Sequence, residues 1–463
     1  MADRGTDWLG GQLTAQGVSA LDEHEHIEYF GGTARYYGLR KALRDHYRGF
    51  AGEAGREPDF NPGSCWVTRL AFEPRVAVAA IDALLQPFVD AGRLRIARRM
   101  KTIAVTVEDD RITAVLAIGL VDRRMVRFHP AIVIDATELG DLLLLAGAEY
   151  VVGAETVADT GEPHAQPVEP KPRCVQSFTY TFAAERRPAG ESHIVPQPEK
   201  YAHYRDGQPF SLTIEVHGGE IYGEESGWLE YKLFDTMPGT KGPLFTYRRL
   251  VDARQFGDRV AHDLTLFNWP GNDYRDESLI DRPAPAVVAA LQDAKRVSLG
   301  FFRWLQTEAP TEGTRRGAPE LRLRPDVMGS ADGLCKFPYI ANRGASRRSR
   351  PSSSTSCRPT ARPARARRIS ATRSESAGIR STSTGRGRRM SARAVGRGRS
   401  RFRSARSSRS GWATCWRPAR TSARPCDQRL LSAASGRMEY RRGRRHARRD
   451  GARPGGSAAP HPR

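Results

Sequence analysis

Cysteine is scarce in this chain of 463 residues. There are six, and the three in the first 342 residues, Cys65, Cys174 and Cys335, stand far apart. No CxxC pair occurs, which argues against a zinc or iron–sulfur site and against a disulfide framework. No apolar run reaches the roughly 18 residues that a membrane span needs, so no crossing helix is expected. The opening stretch MADRGTDWLGGQLT lacks a basic and an apolar segment, so a secretory leader is not expected and a cytoplasmic setting follows.

Acidic residues are nearly missing from one part of the chain. Residues 343–463 hold 34 Arg, no Lys and 4 Asp or Glu, a net of +30, whereas residues 1–342 hold 40 Lys and Arg against 48 Asp and Glu, a net of −8. The whole-chain charge of +22 therefore belongs to the last quarter. Rich in Arg, Ser, Ala, Gly and Pro, that quarter has too few aliphatics to offset its ordering entropy, so a disordered tail is expected. Such a tail attracts nucleic acid non-specifically and in a salt-dependent way, with Trp412, Trp416 and Phe402 available for stacking.

The first 340 residues carry enough apolar side chains for a large core. Residues 27–50 read as a helical stretch and 74–91 as a clearer helix, with Ala77, Ile81, Leu84, Leu85 and Phe88 on one face and Gly92 as its C-cap. Pro87 should kink the last turn. The period then changes to two. Residues 102–108 and 111–120 flank Asp109-Asp110 as a hairpin, and 124–128 adds a third strand. The continuous apolar run AIVIDAT (131–137) reads as a buried parallel strand. Residues 155–173 hold four prolines and read as a linker. From 174 to 280 the pattern is strand-like and aromatic, as in QSFTYTF and LFTYRRL, and residues 284–306 form an amphipathic helix.

Four segments carry candidate chemistry. GGQLTAQG (10–17) is either a Gly-rich turn or a loop whose free N–H groups face a ligand. IVIDATELGD (132–141) is either a strand–helix turn capped by Thr137 or a ligand-binding sheet edge. DEHEHIE (22–28) places His24 and His26 two apart, either in a solvated charged turn or at a metal, and no metal site is assigned. NWPGNDY (268–274) and WLQTEAP (304–310) either line a polar pocket or cap a core.

TDWLGGQLTAQGVSALDEH, VIDATELGDLLLLAGAEYVVGAE, NWPGNDY, WLQTEAP, PELRLR and KFPYI, in this order, resemble a family of bacterial FAD-dependent oxidoreductases. That family is distantly similar to the flavoprotein component of heterodisulfide reductase. The resemblance covers residues 6–340 and implies a glutathione-reductase-like FAD fold. Under it, Gly10, Gly11, Gln12 and Thr14 lie near the pyrophosphate and isoalloxazine, and Asp135, Ala136, Thr137, Gly140 and Asp141 form the second FAD-contacting strand and turn.

Two departures accompany the resemblance. The strand–GxGxxG–helix unit that opens family members, and that seats pyrophosphate on a helix N-terminus, is not found here. The closing segment of the family is replaced by the Arg-rich tail. Re-reading residues 411–422 and 427–444 in shifted frames of GC-rich codons yields family-like text. Residues 341–463 are therefore expected to be out-of-frame translation, with one slip after Ile340 and another near residue 425.

The expected fold class is α/β. Residues 1–154 form an incomplete Rossmann-like FAD-binding domain with a β-meander, 155–173 a linker, and 174–340 a β-rich α+β substrate domain. The expected function is hydride transfer from a small-molecule substrate to flavin. Gln12, Asp22, Asn272, Asp273 and Glu308 are the catalytic or pocket candidates. An inactive fragment and a basic-tailed nucleic-acid-binding protein are the competing readings, and the oligomeric state is not legible.

Overall fold

The computed structural model describes residues 2–4, 6–161, 165–166, 168–207, 210–216, 227–340 and 348–349. The expectations for the Arg-rich tail fall almost wholly outside the described residues. Among the described residues, no helix is long and apolar enough to cross a membrane.

The fold is mixed α/β with several antiparallel sheets. Strand β1 (Ala2–Arg4) runs parallel to β2 (Ile96–Arg98). Between them lie helices α1 (Ala34–Arg48) and α2 (Pro74–Asp90). Helix α1 begins where the Thr33 side chain accepts the N–H of Tyr36, not at residue 27, because Gly31 (φ 91°) breaks the preceding stretch. Helix α2 has Pro74 in its first turn and continues to Asp90, past Pro87.

The meander is as the alternation predicts. Strands β3 (Met100–Glu108), β4 (Arg111–Gly119) and β5 (Met125–Phe128) pair antiparallel in order, with Asp109 at φ 54° in the first turn. The expected buried strand at 131–137 is not one. No ladder among the described residues reaches it, and Ile132 and Ile134 are 82% and 84% exposed. A continuous apolar run becomes a buried strand only where strands pair at its edges and other elements cover both its faces. Helix α3 (Asp141–Leu145) follows.

The 155–173 segment is less loose than its prolines suggest. It holds α4 (Val157–Thr160), opened by a reciprocal capping box between Thr156 and Asp159, and it follows the short strand β6 (Tyr150–Val151).

Beyond it come β7 (Phe178–Thr179), β8 (Phe182–Arg186), α5 (Tyr201–Gly207), β9 (Thr213–Val216) and β10 (Gly227–Glu230). The expected strand at LFTYRRL is half helix. Pro243 starts a single turn, α6 (Leu244–Tyr247), before β11 (Arg249–Val251). Then follow β12 (Leu264–Phe267), α7 (Ala284–Thr307), β13 (Leu321–Leu323), α8 (Pro325–Met328), β14 (Tyr339–Ile340) and β15 (Arg348–Ser349).

The central sheet has the order β11-β12-β8-β13. Phe182 and Phe267 are direct cross-strand partners with rings 5.1 Å apart, and Phe302 of α7 meets Phe182 edge-on. The face of α7 carrying Ala294, Val297, Phe301 and Leu305 is fully buried, as its periodicity predicts. Two short pairings, β14 with β7 and β15 with β6, tie the end of the described chain to earlier strands.

Candidate functional site

The glycine loop is built for close packing. Gly10 and Gly11 sit at φ 112° and 54°, and a short 3-10 turn spans Gly11–Leu13. Thr14 is buried and donates its hydroxyl to the Leu9 carbonyl at 2.6 Å, so it braces the loop. Gln12 is half-buried, and its carbonyl accepts the N–H of Val18 at 2.9 Å. The loop is locked from outside as well. Thr181 donates to the Gln16 carbonyl at 2.7 Å, and the N–H of Phe337 reaches the Ala15 carbonyl at 3.0 Å.

The second turn organises itself. The Asp135 carboxylate accepts the N–H groups of Thr137 at 2.8 Å and Leu142 at 3.0 Å, and Thr137 Oγ1 accepts that of Asp141 at 2.8 Å. Gly140 takes φ 66° at the start of α3, Asp141 pairs with Lys101 at 2.9 Å, and Ala136 is exposed. Leu13 from the first turn and Leu139 from the second pack on the same core.

The loop that begins at Gly10 ends at Asp22, where a buried arginine holds it. Arg248, 5% exposed, donates to the Ala20 carbonyl and places Nη2 2.9 Å from Asp22 Oδ1. Burial opposes the Arg248 charge, but Tyr247 and Asp22 outweigh it and raise its pKa above the ordinary value. Its guanidinium also lies over the Tyr247 ring, which in turn contacts Trp66 at 4.6 Å.

A second carboxylate comes from the NWPGNDY turn. Asp273 accepts the hydroxyl protons of Thr179 and of Ser177, the latter at 3.1 Å, yet burial pushes its pKa up. Thr179 on β7 is the register partner of Tyr339 on β14. Burial and then the charge of Asp22 raise the Tyr339 pKa, with Arg248 opposing and Asp273 adding to it. Asp22, Arg248, Tyr339 and Asp273 thus form one electrostatic constellation drawn from four distant segments. Asn272 is fully buried beside it in sequence, with Nδ2 donating to the Tyr180 carbonyl at 3.3 Å.

Glu308 lies elsewhere. It accepts the Tyr201 hydroxyl and sits 3.6 Å from Arg205, tying α5 to the end of α7. His24 and His26 are exposed, and no group of three His, Cys, Asp or Glu among the described residues is placed to hold a metal ion. Cys335 is buried, which pushes its thiol up to about 12, far from a reactive thiolate. Arg248, Tyr339, Thr179 and Ser177 escaped sequence reasoning. Their role depends on contacts between remote segments, and no local spacing signals it.

Three buried polar atoms of this region have no hydrogen-bond partner among the described residues: Ser19 Oγ, Arg248 Nε and Asn272 Oδ1. Unsatisfied buried groups at the end of a positive-φ glycine loop fit a polar ligand that approaches the backbone closely. Fold and site together define a mixed α/β protein whose glycine loop runs into a charged, partly buried constellation. The family model described as FAD dependent oxidoreductase matches residues 4–340, and the chain belongs to that family. FAD is the cofactor that membership implies. Searches of the curated proteins and of the solved structures return no match.

Proposed function

We propose that this FAD-dependent oxidoreductase takes a hydride from a small-molecule substrate at the Asp22–Arg248–Tyr339–Asp273 constellation. The glycine loop (Gly10, Gly11, Gln12, Thr14) and the second turn (Asp135, Ala136, Thr137, Gly140, Asp141) would hold the cofactor in a glutathione-reductase-like arrangement. The carrying observation is the bond from Arg248 to Asp22, because it joins the glycine loop to the buried polar groups of the 174–340 region.

Bound FAD supplies the hydride acceptor. The protein supplies position and charge. Asp22 has an exposed carboxylate, with 59% of its side chain accessible, and Arg248 fixes its position, so it is the group placed to take a substrate proton. Asp273, which accepts the hydroxyl protons of Thr179 and Ser177, would hold the β7 side of the pocket in place. Residues 1–154 would serve mainly the cofactor and residues 174–340 the substrate. The basic residues beyond 342 would add non-specific, salt-sensitive attraction to nucleic acid.

The test begins with flavin absorbance of the purified chain, which should show one FAD per chain. Anaerobic bleaching by a panel of small alcohols, amines and hydroxy acids follows, comparing the wild type with Asp22→Asn. A chain that neither carries nor takes up flavin, or a variant reduced as fast as the wild type, would refute the reading.

A further inference from the structure

The two charged groups at the end of the glycine loop are not equally open to a ligand. Arg248 is buried. Its Nη1 is committed to the Ala20 carbonyl, its Nη2 to Asp22 Oδ1 at 2.9 Å and to the Tyr247 hydroxyl at 3.4 Å, and its Nε–H lies below the surface. Asp22 keeps 59% of its side chain accessible, and its Oδ2 takes no hydrogen bond from the described residues. The charged atom that an incoming molecule can touch is therefore a carboxylate oxygen.

Aromatic rings stand beside it. Tyr247 and Trp66 are half-buried with ring centres 4.6 Å apart. The Val67 N–H reaches the Tyr247 carbonyl at 3.3 Å, which fixes the Trp66 segment along residue 247. Two buried rings back this pair: Tyr231 lies 6.2 Å from Trp66, and Trp269 lies 6.0 Å from Tyr247. Tyr339 is half-buried as well, and close enough to Asp22 to feel its charge.

This pairing of groups discriminates by ligand charge. An ammonium group is all donor, and it satisfies a carboxylate that has an oxygen to spare. The carbon frame of an organic cation gains from aromatic surface next to that carboxylate. An anion meets the accessible charge of Asp22 and finds the guanidinium covered. A neutral alcohol gains one hydrogen bond without the added Coulomb attraction.

Given the site proposed above, we propose that its substrate is an organic amine bound as the cation, with the ammonium on Asp22 and the apolar body against Trp66 and Tyr247. The oxidation balances. The hydrogen on the carbon next to nitrogen leaves with its electron pair to bound FAD, one N–H proton passes to Asp22, and a C=N bond forms. The amine loses two electrons and the flavin gains them.

The test is calorimetric titration of the full-length chain at neutral pH and fixed ionic strength with benzylamine, benzyl alcohol and benzoate, which share a ring and differ in charge. One saturable benzylamine site is expected, with benzyl alcohol about tenfold weaker and benzoate weaker still. Asp22→Asn should abolish that preference, and Trp66→Leu should weaken benzylamine and benzyl alcohol alike. The ligand comparison needs only the wild type, so it stands whether or not a variant folds. Absence of a saturable benzylamine site, equal or tighter binding of either comparator, or a preference that persists in folded Asp22→Asn would overturn the proposal. Flavin bleaching by alcohols or hydroxy acids and not by amines, lost in Asp22→Asn, would overturn the amine assignment and uphold the site. Benzylamine binding that needs Asp22, in a chain whose flavin no amine bleaches, would uphold cation binding and overturn the catalytic reading of the site.

Discussion

Nη2 of Arg248 stands 2.9 Å from Oδ1 of Asp22, joining a guanidinium that is 5% exposed to a carboxylate whose side chain is 59% exposed. The two residues depend on this contact unequally. Arg248 is a desolvated charge, whereas Asp22 is largely solvated. Replacing Asp22 with Ala leaves a buried cation without its counter-charge and should cost about 3 kcal/mol. Arg248→Lys should cost about 2 kcal/mol, because one ammonium cannot serve both the Ala20 carbonyl and Asp22 in the same geometry. Urea unfolding midpoints measure both.

Glu28 should make the fold acid-sensitive. Burial resists its ionisation, but the hydrogen bond from Arg44 and the charges of Arg40 and Arg44 prevail and hold its pKa below the ordinary 4.5. A depressed folded pKa contributes stability that is complete above the unfolded value and lost as pH falls through the folded one. Glu28→Gln should therefore be about 3 kcal/mol less stable than the wild type at neutral pH. The gap should shrink below pH 4.5, as a series of unfolding curves across that range will show.

Asp273 carries the opposite sign. Burial raises its pKa above 3.8 despite hydrogen bonds from Thr179 and Ser177 and the nearby charge of Arg275. The fold then binds a proton that the unfolded chain has released, so its contribution declines as pH rises from the unfolded toward the folded value. Asp273→Asn should raise Tm at neutral pH by about 2 °C. That gain should vanish near pH 3.8.

Gly17 has no room for a side chain. At φ 72° an added Cβ would lie 2.5 Å from Thr181 Oγ1 and would also collide with the Met328 methyl. Gly17→Ala should cost about 2 kcal/mol and displace the loop that begins at Gly10. The expected readout is a lower flavin-to-protein absorbance ratio than the wild type gives.

Much of the scaffold is legible in residue patterns. The hairpin around Asp109-Asp110 and helix α7 follow from alternation and from a 3.6-residue period, both local properties. The site is legible only in part. Asp22 and Asp273 stand out because they follow glycine- and asparagine-rich turns, yet their partners lie far along the chain: Arg248 binds the Ala20 carbonyl across 228 residues, and Ser177 binds Asp273 across 96. LFTYRRL misleads because Pro243 supplies a helical start that hydrophobic alternation does not record. Glu308 shows the limit of local pattern: its bond to the Tyr201 hydroxyl joins residues 107 apart, which no spacing at the end of a helix records.

The exposed isoleucines of 131–137 bear on how the protein should behave in concentrated solution. Ile132 and Ile134 are exposed on an irregular segment that no strand among the described residues pairs with. An exposed apolar segment of this kind favours self-association. Turbidity at high protein concentration should fall on Ile132→Lys or Ile134→Lys with little change in Tm, because a gatekeeper lysine there interrupts self-association without entering the core.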